Sequence, residues 1–476
     1  MHQYLQLLED TQKYGVFKGD RTGTGTTSLF GRQFRYDLRN GNLPVVTTKK
    51  IHLPSVEEEL NWMKSGDTRL EYLLSKNVTI WNEWVKPGTE VFEIVSDEWL
   101  TTAVQKKFKN VPFEMHFSNE IGDVDWKWID PEHDKSAMLL INLKAWGDVN
   151  RFGPGPDAFD YYGMALRVYR ITIGDSKIVV RDNDGMLCAY RLVGGDLGPV
   201  YGKTWRDIDD VRIVPKVDWV NYEKRGFKFV VDVPGEDYTK DECVIRRRVD
   251  QVQELLYQLE HNPDSRRLII CAWDPRLVED QALPPCHAFI QFWTRELTVD
   301  ERVQALDQTQ FEADAYHDQI SGGTTRGQPP FGSAEQVKAH LRIWRGDKQA
   351  TDEAVVEWLD QHGAPKRAIS CQLYQRSADE FLGVPFNIMF YSLMTHQLAN
   401  QFNMVAEEFI WTGGDCHIYS NHEEQVTLQR SRNTYPTPTI RFKPEAKGKP
   451  FLDITREDYE ILDYQFHPHI AGKVAV

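Results

Sequence analysis

The sequence predicts an α+β protein. Two patterns carry that expectation. Short runs rich in β-branched and aromatic residues, such as Leu268–Trp273, His287–Trp293 and Ile369–Tyr374, read as strands. Between them lie helical stretches, the clearest being the three- and four-residue spacing of Val249, Val252, Leu255, Leu256 and Leu259 and the long apolar run from about Phe386 to Phe402. With 476 residues, 41% of them hydrophobic and 12% aromatic, the chain has enough apolar side chains for a large core and exceeds the usual size of one domain, so appendages are expected.

The elements follow in order. Residues 1 to 84 hold a short helix, the loop Gly19-Asp-Arg-Thr-Gly-Thr-Gly25, a strand-like run through Phe30 and Phe34, and a helix from about Ser55 to Lys64. From Val85 to Gly194 the composition turns to Asp, Glu and Lys around Gly153-Pro-Gly-Pro156. Alternation through Ile171, Ile173, Ile178 and Val180, followed by Asp182-Asn-Asp-Gly185, predicts hairpin structure in this candidate inserted subdomain. After Gly195–Gly202 a charged excursion runs to about Glu242, and the amphipathic helix then leads into His261-Asn-Pro-Asp-Ser-Arg-Arg267. A second excursion, about Glu296 to Arg367, holds the Gly- and Pro-rich 322–332 and Ser333-Ala-Glu-Gln336, a capping-box start for a helix through Leu341. The segment Phe409–Ser420 and a helix beginning near Asn421 complete the pattern.

Charge and cysteine usage narrow the setting. A formal charge of −15 and a pI near 5.5 argue against general nucleic-acid binding, which needs a basic footprint. Any anionic ligand must be captured locally. The six cysteines, at 188, 243, 271, 286, 371 and 416, form no CxxC pair and no zinc spacing with histidine, so reduced thiols in a cytoplasm and no metal are expected. The N-terminal residues lack a basic-then-apolar leader pattern, and no stretch approaches eighteen uninterrupted apolar residues, so no membrane association is expected.

Candidate chemistry centres on Cys286 in Ala282-Leu-Pro-Pro-Cys-His287. The thiolate is the reactive form of cysteine, and an arginine within reach favours it. A lone cysteine beside prolines also fits a buried small hydrophobe. His287 follows directly and would face the other side of a strand, which argues against a Cys-His dyad. Arg21, Arg266, Arg267 and Arg376 all border Gly, Ser, Thr or Asp, the small polar company found around a phosphate, although each taken alone also fits a surface ion pair. Asn387, in a Pro-Phe-Asn turn opening a helix, offers an amide donor and acceptor to a heterocycle edge, or serves as a cap. His417 and Tyr419 are two residues apart on one strand face, a spacing that also suits packing.

Taken together, these segments resemble the thymidylate synthase family. The resemblance rests on Asp20-Arg-Thr-Gly-Thr-Gly25, Val46-Thr-Thr-Lys49, Val78-Thr-Ile-Trp81, Asp196-Leu-Gly-Pro-Val-Tyr-Gly202, Asp264-Ser-Arg-Arg267, Leu283-Pro-Pro-Cys-His-Ala288, Cys371-Gln-Leu-Tyr-Gln-Arg-Ser377, Gly383-Val-Pro-Phe-Asn387 and Trp411-Thr-Gly-Gly-Asp415. These blocks follow the family's order, and the resemblance covers somewhat over half the residues.

The resemblance implies one catalytic domain, 1–476, with a mixed sheet packed by long helices. Insertions are then expected at about 85–194, 208–242 and 296–367, with a homodimer formed through the sheet. It implies that Cys286 adds to C6 of dUMP and that C5 takes a one-carbon unit from 5,10-methylenetetrahydrofolate, giving dTMP and dihydrofolate. Arg21, Arg376, Ser377 and Gln375 would bind the nucleotide, with Arg266 and Arg267 supplied across the dimer interface. Asn387 would read the uracil edge, and His417 and Tyr419 the sugar hydroxyl. An aspartate at 387 is expected of cytosine-specific relatives. Glu59 would organise a proton relay and Tyr201 assist removal of the C5 proton. Ile80, Trp81, Leu283 and Phe386 would wall the folate ring, Asp379 bond the pterin, Lys49 lie near the glutamyl tail, and Val476, ending Val474-Ala-Val476, close over the site.

Asn61 beside Glu59, Pro54 before the same helix and Lys473 before the terminal Val-Ala-Val depart from the family's pattern. They lie where water and hydride compete, which opens an alternative: a deoxyuridylate hydroxymethylase giving 5-hydroxymethyl-dUMP and tetrahydrofolate. Large insertions are associated with some bacteriophage relatives of that kind, and for a phage protein the expected location is the host cytoplasm. A non-catalytic dimeric scaffold is the third reading.

Overall fold

The computed structural model describes residues 1–20, 23–86, 89, 91–94, 113–117, 124–128, 168–173, 176–183, 186–231, 242–309, 330–344, 346 and 350–474. They fall into two compact units, one comprising 1–68 with 199–476 and the other 69–198.

The first unit is built on a six-stranded mixed sheet. Its strands, in spatial order, are Val16–Lys18, Thr26–Asp37, Val405–Tyr419, Arg367–Asp379, His287–Glu296 and Ile269–Cys271. Every neighbouring pair is antiparallel except Arg367–Asp379 with Val405–Tyr419. A parallel pair needs a crossover, and the helix Gly383–Phe402 supplies it. From Val384 to Ala399 all its residues but Phe386 are buried, as expected for a helix that is apolar on every side. It ends at Asn403 in the left-handed conformation (φ 49°).

The crossover brings functional segments together. Parallel strands end on the same side, and the antiparallel strand His287–Glu296 begins there. Hence His287 pairs with Gln375, Ser377 with Asp415, and Asp379 with His417. A register irregularity between His287 and Phe289 bends the chain where the thiol enters the sheet. The opposite sheet face is exposed at Trp293 (57%) and Tyr374 (39%).

Several sequence expectations shift by a few residues. The central strand runs Arg367–Asp379, where Ile369–Tyr374 was expected, and the long helix begins at Gly383, ahead of Phe386. The first buried helix is Leu53–Ser65, so Pro54 lies within its first turn, where a missing N–H costs nothing. The amphipathic helix is Gln251–His261, capped by the Asp250 carboxylate accepting from Gln253 N–H. Val249, first in the helical spacing, instead closes a strand. The helix near Asn421 starts as a 3-10 turn, Ser420–His422, and continues as Glu423–Arg430.

Both excursions of this unit contain packed structure. Residues Ile208–Pro215, Glu242–Val249 and Lys228–Val231 form a three-stranded antiparallel sheet over Val214, Phe227, Cys243 and Ile245. Arg246, Arg247 and Arg248 pair across it with Asp209, Asp210 and Asp207, so its charge run is a cross-strand ladder. In the other excursion a helix over 299–309, Ala334–Trp344 and Asp352–Gln361 enclose Val303, Val337, Leu341, Val355, Trp358 and Leu359.

The second unit contains a four-stranded antiparallel sheet, ordered Val91–Ile94, Met186–Gly194, Ser176–Asn183, Val168–Ile173, and a separate pair, Phe113–Phe117 with Val124–Trp128. The expected hairpin is the pairing of Val168–Ile173 with Ser176–Asn183. Gly194 packs against Glu71, where a Cβ would fall 2.6 Å from the carboxylate. Among the described residues no helix is long and apolar enough to cross a membrane.

Candidate active site

Pro284 and Pro285 have no N–H, so the loop ahead of Cys286 presents only acceptors. Arg376 answers them. Its backbone N–H donates to Cys286 O (2.8 Å), its Nε to Pro285 O (3.1 Å) and its Nη2 to Pro284 O (3.1 Å). From the other side the Tyr201 hydroxyl accepts from Cys286 N–H (2.8 Å) and His287 N–H (3.2 Å). The backbone around Cys286 is thereby held from both sides.

The half-buried Cys286 thiol sits among competing influences. Burial pushes it up, the Arg376 guanidinium pulls it down, Asp379 pushes it up, and a hydrogen bond with Ser377 pulls it down. Burial also holds the Tyr201 phenol well above its ordinary range. Gly414 is required beside Arg376, because a Cβ there would lie 2.9 Å from both the Arg376 carbonyl and the Tyr374 hydroxyl.

His287 turns away from the thiol, as the strand alternation predicted. It is buried, its Nδ1 lies 3.0 Å from the Tyr391 hydroxyl, and its ring packs on Tyr201, Phe390 and Tyr391. Burial lowers it to about 4, so the imidazole is neutral, and the opposing influence is a hydrogen bond with the Asn387 side chain. Asn387, itself 6% exposed, therefore has its amide beside a His287 ring that Tyr391 holds from its other side. The sequence carried no signal for this support, because Tyr391 is 104 residues from His287 and reaches it only through the crossover helix.

The remaining residues of this unit are placed as follows. Gln375 is buried, accepts from Trp411 Nε1 (2.8 Å) and donates to Ser377 O (3.2 Å). Asp379 Oδ1 accepts from Phe381 and Leu382 N–H, a turn that precedes the crossover helix. Leu283 and Phe386 are partly exposed. His417 is buried, with Nδ1 3.3 Å from the Asp415 carboxylate and its ring edge-on to Tyr419. Glu59 lies on the buried face of Leu53–Ser65, and its charge acts on Tyr201 and Tyr391. Lys49 is buried under the Phe381 ring, its ammonium 3.5 Å from the centroid and bonded to the Phe381 carbonyl. Burial lowers it to about 7 against the opposing charge of Asp379.

Arg266 and Arg267 are exposed, and among the described residues neither guanidinium has a hydrogen bond or ion pair. Within one chain they do not join Arg376. Ile80 and Trp81 belong to the 69–198 unit, where Trp81 is buried edge-on to Trp84 and Ile80 is 36% exposed. Arg21 and Val476 lie outside the described residues. Of the three departures, Asn61 Nδ2 approaches Glu58 at 3.4 Å, Pro54 opens its helix, and the Lys473 carbonyl accepts from His422 Nε2 (2.9 Å) and Asn421 Nδ2 (3.2 Å).

A model of the family described as thymidylate synthase matches residues 2–307 and 353–476, nearly the whole chain. A cysteine held between an arginine and a tyrosine, with an oriented asparagine at the same sheet end, stands on blocks that the match spans. The chain belongs to the thymidylate synthase family, one-carbon transferases that act on dUMP with methylenetetrahydrofolate as cosubstrate.

Proposed function

We propose that this protein carries out reductive methylation of dUMP to dTMP, with Cys286 as the covalent nucleophile. The observation that carries the reading is Cys286 on a turn whose carbonyls Arg376 holds, with Asn387 at the same end of the sheet. The Cys286 thiolate adds to C6 of uracil, and C5 acquires carbanion character. Asn387, held by the neutral His287, bonds the O4 and N3 edge and favours uracil over cytosine. Arg376, Ser377, Gln375 and Arg21 bind the nucleotide, and His417 with Tyr419 take the sugar hydroxyl. Tyr201, with Glu59 organising the relay, assists departure of the C5 proton, after which the sulfur leaves C6.

Methylenetetrahydrofolate supplies the carbon and the hydride and leaves as dihydrofolate. Ile80, Trp81, Leu283 and Phe386 offer it apolar surface, Asp379 and Lys49 polar contacts, and the C-terminal Val476 closure. Two uncommitted arginines, Arg266 and Arg267, and the open sheet face bearing Trp293 and Tyr374 support a homodimer that completes the phosphate site.

Product analysis with dUMP and the folate tests the reaction: dTMP with dihydrofolate is expected. Formation of 5-hydroxymethyl-dUMP with tetrahydrofolate overturns the reductive reading in favour of water addition. Failure to form a covalent ternary complex at Cys286 with 5-fluoro-dUMP and the folate overturns the covalent reading and leaves the scaffold.

A further inference from the structure

The Arg376 guanidinium is constrained on an edge and on a face. The edge bonds the carbonyls of Pro284 and Pro285. Its central carbon lies over the indole of Trp273, 5.2 Å from a ring centroid. Trp273 follows the strand Ile269–Cys271 and is tied to the nucleophile's strand, its N–H donating to Ala288 O at 3.3 Å. Its ring is 37% exposed, so core packing accounts for only part of its placement. Among the described residues Nη1 of Arg376 has no hydrogen-bond partner, which leaves that corner of the fork for a ligand.

We propose that Trp273 is a positioning residue for this site: its indole holds the guanidinium flat so that Nη1 faces the thiolate and the nucleotide phosphate. The inference rests on the covalent reading above and extends it to a residue two positions beyond a strand end. Indole has the strongest cation-binding face among the side chains, and a planar guanidinium stacks on it without giving up its edge hydrogen bonds. Two bonds along one edge leave the group free to pivot about that edge. A stacked ring removes the pivot.

The test uses the free full-length enzyme, without nucleotide or folate, so its outcome is independent of turnover. Alkylation of Cys286 by iodoacetamide is followed by peptide-mapped mass spectrometry across the thiol's titration range in wild type, Trp273→Leu and Trp273→Phe. Trp273→Leu is expected to shift the rate profile to higher pH and to slow alkylation near neutrality by roughly two- to fivefold, with the alkaline plateau unchanged. Trp273→Phe is expected to recover most of the rate, and the KM for dUMP to rise in the leucine variant. A leucine variant that melts like wild type and whose alkylation profile coincides with wild type overturns the proposal. Should Trp273→Leu not fold, Trp273→Met carries the same two readings.

Discussion

Arg376 donates to the carbonyl of Cys286 through its backbone and to the two preceding carbonyls through its side chain. The arginine is thus a structural clamp as well as a positive charge that favours the thiolate. Replacing it with lysine removes the bidentate edge while keeping the charge. Arg376→Lys is expected to lower kcat/KM for dUMP by roughly 10²-fold, the scale of one lost preorganised donor. Cys286→Ser, which keeps the clamp and removes the nucleophile, is expected to reduce turnover to about a thousandth or less. Steady-state kinetics on both variants checks this, and turnover by the serine variant near the wild-type rate would falsify covalent catalysis.

The Asn387 amide is oriented by a histidine that burial keeps neutral. An ionised carboxylate at 387 presents only acceptors, which oppose O4 of uracil and suit the amino group of cytosine, whereas the Asn387 amide offers a donor to O4 and an acceptor to N3–H. Asn387→Asp is expected to reverse the preference from dUMP towards dCMP, read as the ratio of kcat/KM for the two nucleotides. An unchanged ratio would show that the uracil edge is recognised elsewhere.

Glu380 is fully buried, with Oε1 accepting from Thr11 Oγ1 at 2.6 Å and Oε2 lacking a partner among the described residues. Burial raises its carboxyl well above the ordinary range. The folded state therefore binds this proton more tightly than the unfolded state. The associated stability is complete below the unfolded carboxyl value of about 4.3 and is lost as pH rises towards the folded one. Glu380→Gln keeps an oxygen for Thr11 and cannot ionise. Its melting temperature is expected to exceed that of wild type increasingly as pH rises from about 5 to about 8. Parallel melting curves across that interval would contradict a protonated Glu380.

Gly472 passes so close to Phe381 that a Cβ would fall 2.6 Å from the ring, and 3.1 Å from His422 Nε2, which bonds the Lys473 carbonyl. Phe381 is itself fully buried against the Lys49 ammonium and has nowhere to retreat. Gly472→Ala is expected to detach this part of the tail, raising backbone hydrogen exchange over 467–474 and raising KM for the folate more than for dUMP. Unaltered exchange would mean that the Phe381 ring yields.

The candidate site residues stood out along the chain because they sit in short, ordered blocks. Cys286 with its prolines, Arg376-Ser377 and Asn387 each announce themselves by residue type, and the helix periodicity of 249–259 and the alternation of 168–183 follow from local backbone geometry. Strand ends and helix starts were less legible: Arg367 and Gly383 extend their elements because sheet pairing and core burial reward residues whose own propensities are neutral. Charge runs such as Arg246–Arg248 read as surface until Asp207, Asp209 and Asp210 were brought opposite them. Contacts between distant residues were beyond the sequence altogether. Tyr391 on His287 depends on the crossover helix, Trp273 on Arg376 on the antiparallel strands between them, and Phe381 on Lys49 on the packing of the first unit, each converting a separation of about a hundred residues or more into a hydrogen bond or ring contact. Residue types supplied the reactive groups, and only the tertiary arrangement decided their orientation, charge state and neighbours, because burial and direction are properties of a packed interior.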